Sequence, residues 1–278
     1  MVCVFDCETI PDIELVRKNF DIEAEDEHEA IAEAQEIYAQ THNGSTFLPL
    51  PYHRVVAISA VIADEFGDFR KVGDFGNESE KEEDIIRHFF EFIERKNPRL
   101  ISFNGRGFDM PMLLIRAMRY NISFPAWFDQ NNPVLNKTKW ENYRQRFAEE
   151  FHTDLLDTLG GFGAVRNLKL DTLCSMAGLP GKYDVSGDQV TDLYYAGELD
   201  KIREYCQSDV LNTYWLWLKY ELLKGELTLE DYMRFLTNMR DRLPEEMGYK
   251  RPFSEAITRE LEKSDATAKQ KNERSFNG

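Results

Sequence analysis

The sequence lacks the features that mark membrane-spanning and secreted proteins. Of its 278 residues 42% are hydrophobic, yet no apolar run approaches the roughly 18 residues that a membrane span needs. No basic stretch precedes the acid at Asp6, so we expect no secretory signal. These absences favour a globular protein with a large core, and they make the cytoplasm the expected location.

Cysteine and histidine are too few and too scattered to indicate a zinc site. The four cysteines have no CxxC spacing, and the histidines show no ligand spacing. Cys3 and Cys7 alternate with Asp6 and Glu8, so on a strand they face the opposite side from the acids. We expect the cysteines to be buried, small apolar residues in a reducing compartment, and His53 and His152 to be structural.

Positive charge is scarce, which at first sight argues against a nucleic-acid enzyme. The net charge is −16. Residues 1–100 carry 10 Lys+Arg against 23 Asp+Glu, residues 101–182 carry 10 against 8, and residues 183–278 carry 14 against 19. Residues 21–36 hold eight acids and no base; we expect a solvated helical face there, with a protein-docking surface as the alternative. Divalent metals can still supply positive charge locally for binding phosphates.

Hydrophobic periodicity predicts an α/β protein with a mixed sheet. Gly225 is placed to cap a long helix. We expect one catalytic domain over residues 1–225 with an acidic insertion at 10–50, a helical extension at 226–263 and a disordered tail at 264–278. The predicted strands are 2–5, 55–64, 69–73, 100–103 and 151–156, and the predicted helices are 78–96, 109–120, 168–176, 188–196, 199–224, 228–241 and 253–263.

Two acids stand on one face of the first predicted strand. Asp6 and Glu8 are two residues apart, so both side chains project to the same side of a strand. Neighbouring carboxylates repel each other unless a cation lies between them, and Mg²⁺ or Mn²⁺ prefers such oxygen ligands. The pattern D-x-E is common by itself. Its place on a hydrophobic strand makes it a candidate metal site.

Two further acids lie on predicted helices. Asp109 comes at the start of a helix, after a strand and a turn with two glycines, so it can be an N-cap, a ligand at the strand end, or both. Asp209 lies one turn after Tyr205 on the long helix, beside the apolar stripe. A carboxylate there is costly unless it is paired or bound to a metal, and a neighbouring base is the plain alternative.

Together the three segments resemble the DEDD superfamily of 3′-5′ exonucleases, in its tyrosine subgroup. Residues 6–8 fit D-x-E, residues 104–109 fit N-x-x-x-[FY]-D, and residues 205–209 fit Y-x-x-x-D. The histidine subgroup has a His where this chain has Glu204. The resemblance is closest to stand-alone exonucleases related to the proofreading domain of family B DNA polymerases, whose recurrent segments look like residues 139–144, 152–157, 180–182 and 205–214.

The resemblance implies an RNase H-like fold, a five-stranded mixed sheet flanked by helices, and two-metal hydrolysis of the terminal phosphodiester. One Mg²⁺ or Mn²⁺ ion is expected on Asp6, Glu8 and Asp209, and a second on Asp6, with Asp109 reached mainly through water. Tyr205 is expected to orient the attacking water, because a phenol with an ordinary pKa of about 10 is a poor base at pH 7. The product is expected to be a 5′-nucleotide.

Expected substrate contacts come from two sources. By resemblance, the terminal nucleotide rests near the main chain of Thr9 and Ile10, Asn104 and Phe108 touch the next sugar or base, and Lys182 contacts the phosphate. A second source is the segment 137–147, which interleaves bases with aromatics as a strand-binding surface does. It offers Lys139, Arg144 and Arg146. The alternative there is a helix that docks Trp140, Tyr143 and Phe147 on the core.

Three functional hypotheses remain open at this point. Single-stranded DNA or frayed 3′ ends are the favoured substrate, since the short acidic tail does not resemble the helical RNA-binding domains of RNase D-like enzymes. An exoribonuclease is the runner-up, because the same carboxylates serve both and nothing in the sequence reads a 2′-OH. A catalytically silent binding module would be expected to lack at least one of the four carboxylates, and all four are present.

Overall fold

The computed structural model describes residues 1–77, 81–182 and 187–276, with side chains up to Lys263. Five strands form one sheet: β1 (Val2–Pro11), β2 (His53–Ala63), β3 (Phe69–Asp74), β4 (Arg99–Ser102) and β5 (His152–Asp154). The helices are α1 (Ile13–Asn19), α2 (Glu27–Thr41), α3 (Glu82–Lys96), α4 (Asp109–Arg119), α5 (Pro125–Phe128), α6 (Leu155–Leu159), α7 (Leu170–Ala177), α8 (Val190–Tyr195), α9 (Leu199–Lys224), α10 (Leu229–Arg242) and α11 (Lys250–Phe276).

The sheet is mixed and has the order β3-β2-β1-β4-β5, which confirms the predicted five-stranded α/β fold. β1 lies at its centre, parallel to β4 and antiparallel to β2. β4 is parallel to β5, and β2 is antiparallel to β3. β1 is longer than the predicted residues 2–5, so it carries both acids of the first motif inside the sheet. A register irregularity between Glu8 and Thr9 marks the end of the acidic stretch.

Alternation along β1 separates two cores. Cys3, Phe5 and Cys7 face α3 and α4 within one buried cluster. Val2 and Val4 face the opposite cluster, which contains α9, α10 and α11. The acids Asp6 and Glu8 share the parity of Val2 and Val4, so they lie on the α9 side of the sheet. The four cysteines are free and buried, as predicted.

The long helix α9 has the predicted bounds, and Gly225 ends it in the left-handed conformation at φ 79°. It does not have a single apolar stripe. Buried residues lie on nearly all sides of α9, because the helix is packed between the sheet and the C-terminal helices α10 and α11. The expectation of one apolar stripe with Asp209 beside it was therefore too simple.

The segment 10–50 forms its own small layer. Ile13 and Val16 of α1 pack against Ala30, Ile31 and Ala34 of α2 in a separate cluster. Within residues 21–36 the acids are exposed except for the half-buried Glu33, which agrees with the predicted solvated face. Buried Asp12 at the start of this layer pairs with Arg116 of α4 at 2.6 Å, which ties the layer to the core.

Besides β1, several predicted elements have bounds that differ from the observed ones, among them β5 and α3. β5 ends at Asp154 instead of residue 156, because Asp154 caps α6 by accepting from the backbone N–H of Leu156 and Asp157. The predicted helix 78–96 begins at Glu82 in the structure, and residues 78–80 lie outside the described part.

The C-terminal helices α10 and α11 correspond to the predicted helices 228–241 and 253–263. Side chains beyond Lys263 also lie outside the described part, so the tail expected at 264–278 stays a prediction. The division into a domain over residues 1–225 and an extension over 226–263 likewise stays a prediction.

Candidate active site

The first motif lies on the central strand. Asp6 is half-buried, and Glu8 is buried with 8% exposure. Carboxylate oxygens of both residues and the Sγ of Cys206 all lie within 4.8 Å of one another. The Cys206 thiol donates to the backbone oxygen of Asp6 at 3.5 Å, so β1 and α9 are in contact at the motif itself. Sequence reasoning treated Cys206 only as a buried apolar residue and missed its place beside the acids.

The second motif begins on a turn after β4. Asn104 adopts φ 69°, and a Cβ on the next residue, Gly105, would lie 2.5 Å from Ser102 Oγ, so only glycine fits. The Asp154 carboxylate fixes this turn by accepting from the backbone N–H of Asn104 at 2.9 Å and of Arg106 at 2.8 Å. The turn therefore places the start of α4 against the end of β1.

Asp109 does not cap α4. The N-cap position is Phe108, with no side-chain cap bond, and Asp109 is the first helical residue. Its Oδ1 instead accepts from the backbone N–H of Cys7 at 3.1 Å. The N-cap interpretation was wrong, because Asp109 is the first residue of α4 and its carboxylate bonds to the backbone of β1 at Cys7, the residue between Asp6 and Glu8.

The third motif completes the cluster from α9. Tyr205 is buried with 5% exposure, and its side chain is hydrogen-bonded to half-buried Asp209. Asp209 raises the pKa of Glu8, which shows that the two carboxylates are close. The structure therefore brings all four predicted carboxylates and the tyrosine to one place.

Burial raises the pKa of every carboxyl in the cluster, and repulsion by other members of the cluster raises the pKa of Asp6 and Glu8 further. The pKa of Asp6 is well above its ordinary value because of burial first, then Asp109, Glu8 and Asp209. Burial raises the pKa of Asp109 to about 7 and that of Asp209 to about 6. The pKa of Tyr205 is also raised by burial and by the neighbouring acids, so the phenol stays protonated at neutral pH.

This donor set fits divalent cations. Four carboxylates converge from β1, α4 and α9, and the repulsion between them is what a shared cation relieves. Burial raises the pKa of Asp209, and the charge of Lys182 lowers it in part. A single lysine does not neutralise four acids, and oxygen-rich sites favour Mg²⁺ or Mn²⁺.

Lys182 lies beside the third motif, where sequence reasoning expected a phosphate contact. It lines a small cavity of about 30 Å³ together with Asp209 and Asn212. The backbone N–H of Lys182 donates to Asp171 at 3.1 Å, while its side chain is exposed. This position leaves the ammonium group available to a ligand of the cluster.

An aromatic patch lies on the other side of the first motif. Thr9 Oγ1 is 3.0 Å from Nδ1 of His53. The His53 ring lies 5.1 Å from that of Phe108 and 4.7 Å from that of Phe47, centroid to centroid. Phe47 is 60% exposed and comes from the end of the insertion, and sequence reasoning did not identify it. The Ile10 side chain is fully buried, so only its main chain can face a ligand.

Both histidines have structural contacts, as predicted. His53 Nε2 donates to the backbone oxygen of Leu48 over 2.9 Å, and burial lowers the pKa of the ring. His152 is 1% exposed, and its Nε2 is 2.8 Å from Ser102 Oγ. Neither ring is part of the carboxylate cluster.

The segment 137–147 does not form the alternative helix. The Arg106 side chain donates to the carbonyl oxygens of Tyr143 and Gln145, at 3.1 and 2.9 Å. The Asn142 side chain donates to the carbonyl oxygen of Thr138 and accepts from the backbone N–H of Arg144. Carbonyls and amides engaged in this way are not free for a helical ladder.

The three aromatic residues of this segment therefore have different environments. Tyr143 is fully buried, while Trp140 and Phe147 are 71% and 72% exposed. Arg144 and Arg146 are exposed and line a cavity of about 910 Å³ beside Asn104. Lys139 lies over the ring of Trp140, 5.0 Å from its centroid.

Residues 45–257 match the family described as a predicted 3′-5′ exonuclease related to the exonuclease domain of PolB. The chain belongs to this family. The matched range includes Asp109, Tyr205 and Asp209 and begins after Asp6 and Glu8.

Curated relatives of the chain are DNA polymerases. The one from Archaeoglobus fulgidus is 28% identical over 163 residues, which is 55% of this chain and 20% of the relative. The one from Pyrococcus horikoshii is 24% identical over 148 residues, 52% of this chain and 12% of the relative. The chain thus spans at most about a fifth of the length of these relatives.

A solved family B DNA polymerase from Pyrobaculum calidifontis matches 85% of this chain and 28% of its own, at 15% identity and a TM-score of 0.48. Among the described residues, none of the helices combines the length and apolar character needed to cross a bilayer.

Proposed function

We propose that this protein is a 3′-5′ exonuclease that hydrolyses single-stranded nucleic acid to 5′-nucleotides with two Mg²⁺ or Mn²⁺ ions. One observation carries the proposal: Asp6, Glu8, Asp109 and Asp209 converge from three elements, with the pKa of each raised. Membership of a family of predicted exonucleases supports the same reaction. Frayed 3′ ends of duplexes would enter the site as single strands.

The carboxylates have distinct roles in this proposal. Asp6, Glu8 and Asp209 hold one ion, and Asp6 and Asp109 hold the other, with Asp109 acting mainly through water. When bound, the ions supply a nucleophilic water and stabilise charge on the leaving oxygen. The main chain of β1 keeps Asp109 in place through the Cys7 N–H, so its carboxylate needs no rearrangement.

Tyr205 orients the attacking water as a hydrogen-bond partner. Its bond to Asp209 positions the phenol beside the cluster, and its raised pKa keeps the proton on the oxygen. A protonated phenol can donate or accept a hydrogen bond but is not a general base at neutral pH. Proton removal from the water is therefore left to the carboxylates.

Substrate contacts are proposed on both sides of the cluster. The main chain of Thr9 and Ile10, together with Asn104 and Phe108, would take the terminal nucleotides. Lys182 would contact the phosphate next to Asp209, which its position beside that carboxylate supports. Further along the strand we propose contacts in the basic and aromatic segment, at Lys139, Arg144 and Arg146.

DNA is the favoured substrate, and the similarity to DNA polymerases supports that choice. The runner-up is an exoribonuclease that trims RNA 3′ ends, because four carboxylates and two metals serve either polymer. A silent binding module is the weakest alternative, since Asp6, Glu8, Asp109 and Asp209 are all present beside Tyr205. A cytoplasmic location is proposed from the four free, buried cysteines.

The test is a degradation time course on 5′-labelled single-stranded DNA and RNA with Mg²⁺, Mn²⁺ or EDTA. We expect a ladder that shortens from the 3′ end, loss of activity in EDTA, and a loss of at least a hundredfold in Asp6→Ala. The control is Asp241→Ala, which removes an exposed acid of α10 that pairs only with Arg240 among the described residues.

Three results would count against the proposal. Activity in EDTA would exclude the metal mechanism, full activity of Asp6→Ala would exclude the cluster, and internal cleavage products would exclude an exonuclease. Faster degradation of RNA than of DNA would favour the runner-up.

A further inference from the structure

An open groove lies next to the second motif. Its floor is the outer face of α4, with Met110, Pro111 and Leu114. One wall is the end of the basic and aromatic segment, and the other is the loop 163–168 after α6. The groove has a volume of about 910 Å³, at the upper end of the range of small-ligand pockets.

The acids of the groove are already satisfied. Asp154 accepts from four backbone N–H groups, those of Asn104, Arg106, Leu156 and Asp157. Asp157 forms a two-point pair with Arg146, at 2.9 and 2.5 Å. Asp157 is therefore paired with Arg146, and Asp154 is bonded to backbone N–H groups. Among the described residues, neither carboxylate forms an ion pair with Arg144 or Arg166.

Two arginines of the groove are left with their charge uncompensated. Arg144 and Arg166 are exposed, and within the described residues neither forms an ion pair with a carboxylate. The Arg144 guanidinium lies over the ring of Phe128, 5.4 Å from its centroid. In a chain of net charge −16, two unpaired arginines facing one groove indicate an anionic ligand.

Aromatic surface lies beside Arg146, another arginine that lines the groove. The rings of Phe147 and Phe162 lie 4.7 Å apart, and Arg146 lies over Phe162 at 5.9 Å. Phe147 is 72% exposed, and Val165 on the groove wall is 52% exposed. Exposed rings next to bases are the combination that single strands use, stacking on the rings and neutralising phosphates on the cations.

The groove begins at the catalytic cluster. Asn104 and Gly107 of the second-motif turn line it, and Met110 follows Asp109 directly. Asp154, which also lines it, accepts from the backbone N–H groups of Asn104 and Arg106 in the same turn. A strand whose 3′ end is at the cluster can therefore continue into the groove without leaving the surface.

We infer that this groove binds the strand upstream of the cleaved nucleotide, with Arg144 and Arg166 on its phosphates and Phe147 and Phe162 beside its bases. The inference rests on the proposed function. It adds to that function the path of the bound strand, the direction in which the strand runs from the cluster, and a contact at Arg166. It also explains how an acidic protein binds a polyanion. The phosphates contact residues 101–182, which carry 10 Lys+Arg against 8 Asp+Glu.

The experiment compares short and long strands. Binding of 5′-fluorescein-labelled (dT)3 and (dT)12 is measured by anisotropy in EDTA, over a range of salt, for the wild type and for Arg144→Ala/Arg166→Ala. The wild type should bind (dT)12 more tightly. The double variant should bind it at least about tenfold more weakly, and the slope of log K against log salt should fall by roughly 1.4, since each lost contact with a single strand removes about 0.7.

The matched control is Arg70→Ala/Arg251→Ala, which removes the same charge from β3 and α11, away from the groove. It should keep the wild-type affinity and nearly the wild-type slope. Hydrolysis of (dT)3 with Mg²⁺ is measured in the wild type and in this control, and it should be the same in both. That measurement tests the proposed function separately from binding in the groove.

The inference fails if the groove variant binds (dT)12 as the wild type does, or if it weakens (dT)3 and (dT)12 equally. A blunt duplex that competes as well as (dT)12 would also overturn it, because the groove is argued to take a single strand. If no variant and no wild type hydrolyses (dT)3, the proposed function fails independently of the binding result.

Discussion

Asp109 and Cys7 are joined by a hydrogen bond in which the backbone N–H of Cys7 donates to Asp109 Oδ1 over 3.1 Å, across 102 residues of sequence. Cys7 stands between the two acids of the first motif, and its own side chain faces the opposite core. The main chain of the first motif thus fixes the carboxylate of the second. The proposed metal ligands on β1 and α4 are therefore held in place relative to each other by the protein's own main chain.

This bond predicts different outcomes for two substitutions. Asp109→Asn keeps an oxygen that can accept from the Cys7 N–H and removes one of four repelling charges, whereas Asp109→Ala leaves that buried N–H unpaired. We expect both variants to lose activity by at least about a hundredfold. By urea unfolding in EDTA, Asp109→Asn should be more stable than Asp109→Ala by about 1–3 kcal/mol. Equal stabilities would show that the bond contributes nothing.

The raised pKa values predict how stability changes with pH when metal is removed. Burial and repulsion raise the pKa of Asp109 from 3.8 to about 7 and of Asp209 to about 6, so the folded protein binds protons more tightly than the unfolded chain. The contribution of these two carboxyl groups to the stability of the fold is fully present below about pH 4, and it is lost as pH rises through 6 to 7. We expect the metal-free Tm to fall by several degrees from this cause.

Two histidines change the stability of the fold in the opposite direction over the same pH range. The pKa of His53 and of His152 is lowered by burial, so each favours unfolding below the ordinary histidine pKa and ceases to do so as pH rises. The measurement is therefore the difference between melting curves in EDTA and in Mg²⁺, from pH 5.5 to 8. This difference should widen with pH, and it should be smaller in Asp109→Asn. A difference that does not vary with pH would contradict the prediction.

Tyr205→Phe tests the role of the phenol. Removing the hydroxyl should lower kcat by roughly tenfold to a hundredfold and leave KM nearly unchanged, because the lost hydrogen bond acts on the attacking water and not on the strand. Since the pKa of Tyr205 is raised, the phenol does not titrate near neutral pH. The pH profile of kcat should therefore keep its shape in the variant. The disappearance of one limb would instead identify Tyr205 as the base.

Local patterns were enough to predict the elements and the acids. Period-two alternation assigned Asp6 and Glu8 to one face of β1, and a long helical pattern with Gly225 after it predicted the bounds of α9. Both signals are local, because they depend on residues within a few positions of each other.

Contacts between distant segments were not predictable from those patterns. Arg106 prevents a helix at 137–147 by taking carbonyls about 40 residues away, and Asp109 bonds to β1 instead of capping its own helix. The proximity of Cys206 to Asp6 depends likewise on how α9 packs on the sheet. Tertiary hydrogen bonds override local preference in each case.

The insertion contributes an aromatic side chain to the site that sequence reasoning did not find. Phe47 is 60% exposed, with its ring 5.6 Å from that of Phe108 and 4.7 Å from that of His53, which contacts Thr9. An exposed ring beside the residues expected to hold the terminal nucleotide is suited to stacking on its base.

We expect Phe47→Ala to raise KM for (dT)12 about tenfold, because stacking on a ring is worth ~1–3 kcal/mol per base. A strand with 2-aminopurine at its 3′ end should lose fluorescence on binding the wild type in EDTA, and less on binding the variant. Phe66→Ala is the control, since Phe66 is 74% exposed in the turn between β2 and β3 and lines a separate cavity with Trp217. If both variants behave as the wild type, the terminal base does not stack on Phe47; if both raise KM, the effect is not specific to the site.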